Sequence, residues 1–294
     1  MFDKIRVIIP THNPLYLKET LTALHHQNDN NFTVLVVENP TKTFNVEHIS
    51  EYYMFEHITS PLGANNARNT GINFIDSPED IIIALLDDDC VPDRDWIRNI
   101  RESFNNDTKL ACLGGRVTLS TDKNLTALQS QYLTKINWGN TNLYRELQPG
   151  EYIASCNLAF KKSVYNKVGG FNANLGYFGK DNFIPNDEVL FIRDCANHGK
   201  VCYNDNMRVL HLIDDRVNNK FFLKRAYGQG YANILLEREQ GITGNCHLEK
   251  IYYSEENTKD IDLQIAKHIG MLHAIKGVEP SNQFYSLLEE LVQI

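Results

Sequence analysis

Asp87, Asp88 and Asp89 follow directly on a run of six apolar residues, Ile81 to Leu86, with Asp93 and Asp95 close behind. Three adjacent carboxylates repel one another, and charge at the end of a buried strand needs a counter-ion. If the chain stays extended there, Asp87 and Asp89 point to the same side. Two carboxylates on one face suit a hard divalent cation, Mg2+ or Mn2+. A cation with few protein ligands takes the rest from phosphates and water, so the pattern implies a phosphorylated or nucleotide ligand. The plainer alternative is a solvated acidic turn that caps a helix starting at Pro92.

Other strand ends carry residues that would gather at the same point. Thr11-His12-Asn13 follows the run Ile5 to Ile9, and Glu38-Asn39 follows Phe32 to Val37. A carboxylate at Glu38 can accept hydrogen bonds from the 2′- and 3′-hydroxyls of a ribose. Arg68 sits among small residues in a helical segment. A buried arginine needs an anion, and either the acidic cluster or a phosphate serves. A structural ion pair of Arg68 with Asp87 or Asp88 is compatible with both.

The elements that must position these residues alternate between strand and helix. Strands are expected at Ile5–Ile9, Phe32–Val37, near Tyr52–Phe55, at Ile81–Leu86 and at Leu110–Val117. Helical spacing follows the first, at Leu15, Leu17, Leu21 and Leu24, and recurs over Gly63–Phe74 and from Pro92 through Trp96, Ile97 and Ile100. Such alternation gives an α/β sandwich around a mostly parallel sheet, which binds ligands beyond the C-terminal strand ends. Further on, Tyr152–Phe160 reads as a strand and Ser163–Val168 as a short helix. Residues 171–186 read as a long functional loop, and Asp187–Asn197 as a helix. Val201–Tyr203 and Arg208–Leu212 read as two short strands. The segments 217–239, 260–276 and 283–293 read as amphipathic helices.

Composition narrows the class. The 294 residues are 42% hydrophobic and 22% charged, which excludes disordered, collagen-like and coiled-coil chains. The net charge is −8, and no region is basic enough for a general nucleic-acid binder. Residues 1–100 carry 7 Lys and Arg against 15 Asp and Glu, whereas the remainder carries 22 of each. The excess negative charge therefore lies in the first third of the sequence. The six cysteines form no CxxC pair and are read as reduced thiols of a cytoplasmic protein. No stretch reaches the roughly 18 apolar residues of a membrane span. No signal-like segment opens the sequence, and neither a P-loop nor a GxGxxG fingerprint follows the first strand.

Five motifs in order are similar to those of one family. Ile8-Ile9-Pro10-Thr11-His12-Asn13 resembles the opening of family 2 of the glycosyltransferases, whose members have the GT-A fold. Gly63-Ala64-Asn65-Asn66-Ala67-Arg68-Asn69-Thr70-Gly71 resembles its G-x-x-x-A-R-N-x-G helix, and Leu86-Asp87-Asp88-Asp89 its metal-binding D-x-D strand end. Gly169-Gly170-Phe171 resembles its G-G-F turn, and Asn186-Asp187-Glu188-Val189-Leu190-Phe191-Ile192-Arg193 its E-D-x-x-L-x-x-R helix. The resemblance covers roughly residues 4–230. It implies a single Rossmann-like α/β/α domain over 1–215, with a nucleotide-binding half (1–118) and an acceptor-binding half (119–215). A C-terminal helical extension over 216–294 follows.

The resemblance also implies roles. Thr11, Asn13 and Glu38 would hold the nucleoside, with Arg68, Asp87 and Asp88 near the base or diphosphate. Asp89, with Asp87 and His211, would ligate Mn2+ or Mg2+, although a packed structural role for His211 stays open. Asp187 would be the general base of an inverting transfer from a nucleoside diphosphate sugar, UDP-linked by family habit, to a glycan or lipid-linked hydroxyl. Asn157, Trp138 and Glu188 are candidates for the acceptor side, and Trp138, Tyr144, Tyr177 and Phe178 for stacking on sugar rings. The C-terminal helices are candidates for a homodimer surface or a peripheral contact with the inner face of the membrane. One departure stands out: the first acid of the E-D pair is Asn186. Two other classes remain, a nucleotidyltransferase and a non-catalytic sugar-nucleotide or glycan-binding protein.

Overall fold

The computed structural model describes residues 4–12, 14–39, 53–77, 80–121, 123–139, 143–178, 182–213, 216–239 and 260–280. In chain order the strands are β1 (Ile5–Thr11), β2 (Phe32–Glu38), β3 (Glu56–Thr59), β4 (Ile82–Leu86), β5 (Cys90–Pro92), β6 (Leu110–Leu119), β7 (Tyr144–Glu146), β8 (Asn157–Lys161), β9 (Gly176–Phe178), β10 (Asn182–Ile184) and β11 (Lys200–His211). The helices are α1 (Leu17–His25), α2 (Ala64–Phe74), α3 (Trp96–Asn106), α4 (Ala127–Tyr132), α5 (Lys162–Val168), α6 (Asp187–Ala196), α7 (Asn219–Glu239) and α8 (Ile261–Lys276). The chain divides into two compact units. One comprises Met1–Thr121, Thr134–Ala173 and Glu188–Ile213; the other comprises Asp122–Leu133, Asn174–Asp187 and Asp214–Ile294. The boundary expected at residue 215 lies beside the last junction, and two upstream segments join the second unit as well.

The first unit is built on one sheet of order β3-β2-β1-β4-β8-β6-β11-β5, with β7 paired to β11. Strands β3, β2, β1, β4, β6 and β11 share one direction, and β8, β5 and β7 oppose them. All five residues of β4 and six of the seven of β1 are buried. Central parallel strands are covered on both faces, which is why these segments are unbroken apolar runs rather than alternating ones. Helix α2 covers β1 and β2 closely. A Cβ on Gly71 would come within 2.8 Å of a Val37 methyl and 2.9 Å of an Ile8 methyl, so glycine lets the helix approach the sheet.

Strand β11 is one strand rather than the two short ones expected. Asn204 pairs with Gly115, but the next pair is Arg208 with Arg116, so Asp205, Asn206 and Met207 bulge out. Three extra residues, an odd number, invert which side chains face which side beyond the bulge. The bulge is tied by a fully buried carboxylate. Asp205 accepts from Arg116 Nε at 2.8 Å, from Arg208 Nη2 at 3.0 Å and from the Tyr203 hydroxyl at 3.0 Å. Burial, with Asp205 beside it, pushes the Tyr203 hydroxyl up to about 12. Asn157, also fully buried, donates to the carbonyls of Met207 at 2.8 Å and Arg116 at 3.1 Å and accepts from Trp96 Nε1 at 2.8 Å. Gly115 admits the bulge, because a Cβ there would collide with the Met207 carbonyl.

Other differences have local reasons. The third strand lies at Glu56–Thr59, just beyond the aromatic run that suggested it. Pro92 ends a short strand instead of opening a helix. It stands opposite Val209 of β11, the Asp93 N–H that follows donates to the Arg208 carbonyl at 3.0 Å, and the helix begins at Trp96. The strand expected over Tyr152–Phe160 is confined to β8. In the second unit, the stretch 171–186 contains an antiparallel hairpin, β9 with β10, so it is not a loop throughout. Helices α7 and α8 begin 2 and 1 residues after the expected segments and end with them, and 283–293 falls outside the described residues. Among the described residues no helix is long and apolar enough to cross a membrane.

Replacing Asp205 by alanine leaves two arginines and a buried hydroxyl without their shared acceptor. Losing one partner of a buried pair costs about 3–5 kcal/mol. Thermal or urea unfolding of Asp205→Ala is therefore expected to show a loss of about 3 kcal/mol, and a loss below about 1 kcal/mol would refute this account of the bulge.

Candidate active site

The site of the first unit forms where β1, β2 and β4 end. Thr11 and Glu38 are register partners, each the last residue of its strand. Beyond β4 the chain does not stay extended. The Cys90 N–H donates to the Asp87 carbonyl at 3.1 Å, closing a turn through Asp88 and Asp89. The premise that Asp87 and Asp89 share a face by pleating therefore fails, and the three carboxylates part. Asp88 accepts from the Thr11 hydroxyl at 2.5 Å, and its carbonyl accepts from Thr20, buried on α1, at 2.9 Å. Asp87 keeps 29% exposure and lies 3.4 Å from Nη2 of Arg68. Asp89 is turned inward and buried, with Oδ1 3.4 Å from Nε2 of the equally buried His211.

His211 arrives there through β11. It pairs with Cys90 across the antiparallel β5–β11 ladder, and the Leu212 N–H donates to the Asp89 carbonyl at 2.8 Å. The ligand atoms of Asp89, Cys90 and His211 all lie within 4.8 Å of one another. Cys90 was not expected in this group, and Asp87 is not part of it. Burial, with Cys156 beside it, pushes the Cys90 thiol well above its usual range. A thiol ligates as the thiolate, so the effective donors are the Asp89 carboxylate and the His211 imidazole. One hard oxygen and one nitrogen fit a divalent first-row cation such as Mn2+.

Glu38 is buried at the end of β2, with Oε2 3.1 Å from His57 Nε2 on the neighbouring β3. Asn39 staples the next loop. Its amide donates to Ser60 Oγ at 2.6 Å and the Pro61 carbonyl at 2.9 Å, and its Oδ1 accepts from the Gly63 N–H at 3.1 Å. That fixes the start of α2 and hence Arg68. Arg68 donates to Asn65 Oδ1 at 2.8 Å, and its guanidinium lies 5.9 Å from the Phe171 ring centroid. Asn65 donates to the Asn172 carbonyl at 2.8 Å. Asn69 exchanges a reciprocal pair of bonds with the Phe171 backbone at 2.8 and 2.9 Å. The G-G-F turn is thus locked to the Arg68 helix by two asparagines. Asn69 is the fixed asparagine of the A-R-N motif and Asn65 fills one of its variable positions, and neither place reveals a partner.

The remaining residues fall elsewhere. Asn13 lies outside the described residues. Asn157, expected on the acceptor side, is a joint in the sheet, with its amide engaged on both sides. Trp138 donates to the Tyr152 carbonyl at 2.6 Å and packs edge-on against the Tyr152 ring. Tyr144 is exposed on β7, beside a polar cavity that includes Asn99, Asn204 and Lys200. Glu188 is half-buried in the first turn of α6. Asp187, the first residue of that helix, is buried and belongs to the second unit. The five described cysteines are free and buried.

Residues 6–169 match the sequence model of Glycosyl transferase family 2. The glucosyl-dolichyl phosphate glucuronosyltransferase of Haloferax volcanii is 23% identical over 159 residues, or 53% of this chain, and the chain spans about half (51%) of that protein's length. A mannosyltransferase of Pyrobaculum calidifontis, solved with GDP-Man and Mn2+, shares 14% identity at a TM-score of 0.59, over 100% of this chain and 80% of that one. TarS 1–349 of S. aureus, solved with UDP-GlcNAc, gives 14% and 0.55 over 92% and 81%. These two structures share the fold. The family's match spans more than half of the chain and takes in the strand ends that carry Thr11, Glu38 and the three aspartates and the helix that carries Arg68, and the chain belongs to glycosyl transferase family 2.

Proposed function

We propose that the protein is a metal-dependent, inverting glycosyltransferase. It moves a sugar from a nucleoside diphosphate, UDP in the simplest case, to a hydroxyl of a glycan or lipid-linked acceptor. The observation that carries this reading is the buried Asp89–His211 pair, set beside Asp87, Arg68, Thr11 and Glu38 at the ends of parallel strands. Two buried groups that can share a cation, bordered by a half-exposed carboxylate and a buried guanidinium, suit a diphosphate better than a neutral ligand.

In this reading Glu38, held by His57, accepts from the ribose hydroxyls. Arg68 lies on the base or diphosphate side. Asp89 and His211 hold Mn2+ or Mg2+, which when bound offsets charge on the leaving diphosphate. The Asp187 carboxylate takes the proton of the acceptor hydroxyl while that oxygen bonds to the anomeric carbon and the carbon–diphosphate bond breaks. One displacement inverts the anomeric configuration without a covalent sugar–enzyme intermediate. Support for Asp187 is its place in the E-D-like motif and its burial at the start of α6.

Thermal unfolding with UDP, TDP, GDP or CDP, each with Mn2+ and with EDTA, is expected to show one nucleotide stabilising the protein only with metal. At 100 times Kd the gain is about 2.7 kcal/mol. Asp89→Ala is expected to abolish it, and no stabilisation by any of the four would move the reading to a binding domain that has lost its donor. In a turnover assay Asp187→Asn is expected to keep the nucleotide stabilisation and lose about 100-fold or more in kcat. Unchanged turnover would remove Asp187 as the base.

A further inference from the structure

Asn186 has an unusual backbone. Its φ is +71°, one of two positive values among the described non-glycine residues. Asparagine tolerates this region better than most residues, but it still needs a surrounding that holds it there. That surrounding is helix α7. Gln229 Nε2 donates to Asn186 Oδ1 at 2.9 Å, and Asn186 Nδ2 donates to Asn233 Oδ1 at 3.2 Å. Gln229 and Asn233 are one turn apart on α7 and are themselves bonded at 3.0 Å. The three amides form a closed ring that pins the residue immediately before Asp187.

Helix α7 is itself rigidly seated. It packs along α8 with two glycines at the crossing. A Cβ on Gly230 would strike the Lys267 carbonyl, and one on Gly270 would strike the Tyr227 carbonyl. The Tyr227 hydroxyl and His273 Nδ1 lie 3.0 Å apart across the same contact. Backbones in such close contact leave little freedom to slide. Asn186, Asp187, Gln229 and Asn233 all belong to the second unit.

We infer that Gln229 and Asn233 are positioning residues for the reaction: through Asn186 they fix the backbone from which Asp187 presents its carboxylate. The C-terminal helix pair thereby acts in catalysis without touching substrate. This rests on the reading of Asp187 as the general base. A displacement of about 1 Å in a reacting group can cost on the order of 100-fold in rate, so the amide ring has a kinetic signature distinct from a stability effect.

The decisive variant is Asn186→Gly, because glycine accepts φ +71° without strain while removing the amide. The full chain would be assayed with UDP-glucose, UDP-GlcNAc and GDP-mannose plus Mn2+, following release of nucleoside diphosphate. Asn186→Gly and Gln229→Ala are expected to lower kcat by about 10- to 100-fold. Donor KM should stay within about 2-fold and the melting temperature of Asn186→Gly should not fall. Asn186→Asp also tolerates positive φ and keeps an acceptor for Gln229 but has no donor for Asn233 Oδ1, and is expected to lose less kcat than Asn186→Gly while not reaching the wild-type value. Wild-type kcat in Asn186→Gly, or a loss in Gln229→Ala that only follows its melting temperature, overturns the inference while an inactive Asp187→Asn leaves the base standing. An active Asp187→Asn, or a wild type silent with all three donors, overturns the base reading and this inference with it.

Discussion

A buried carboxylate with no exposure, Asp205, sets where the second half of the site ends up. It is shared by Arg116, Arg208 and Tyr203, and with Asn157 it holds a three-residue bulge in β11. The inverted alternation beyond that bulge carries the strand to His211 in register with Cys90, beside Asp89. A regular β11 would present the opposite set of side chains to β5. Burying an ion pair is a poor source of net stability, since desolvation of the charges offsets most of their attraction. What this one contributes is register. The polar groups it occupies lie in the sheet interior, far along the chain from the acidic turn whose partner they place.

The strand-end grouping of the candidate site was legible because its residues are local to their elements. A run such as Ile81 to Leu86 announces a buried strand, and in an α/β sheet the next polar residues must stand at the ligand-binding edge. Thr11, Glu38 and the aspartates could therefore be grouped before any contact was known. Their individual roles could not. A tight turn, closed by the Cys90 N–H, sends Asp87 toward Arg68, Asp88 toward Thr11 and Asp89 toward His211. A triplet of identical residues gives no hint of which member turns inward, because that depends on the three partners.

Elements set by pairing rather than by pattern were the ones misplaced. Residues 200–211 look like two strands because Asn204-Asp205-Asn206 reads as a turn, and the bonds of Asp205 and Asn157 to residues distant in the chain keep it in the sheet. Pro92 resembles a helix start, yet it ends a strand at the sheet edge, where a missing N–H is tolerated. The asparagine contacts were invisible for a related reason. Asn39, Asn65 and Asn69 each satisfy backbone groups more than twenty residues away or carry a guanidinium. Asn39 at a strand end and Asn69 in the A-R-N motif could be picked out, but their spacing says nothing of these distant partners, and Asn65 carries no signal of its own.

Asn186 shows how the two kinds of information meet. Against the E-D motif it appeared as a loss, an acid replaced by an amide. In the fold it stands between a donor, Gln229 Nε2, and an acceptor, Asn233 Oδ1. An ionised carboxylate accepts but does not donate, whereas an amide does both. A residue held at positive φ between one donor and one acceptor is best met by asparagine, the amide that also tolerates the left-handed region. The substitution is therefore matched to helix α7 and follows from it. The family's match ends at residue 169, before this contact begins, so the partner that explains residue 186 lies in a part of the chain the shared motifs do not reach.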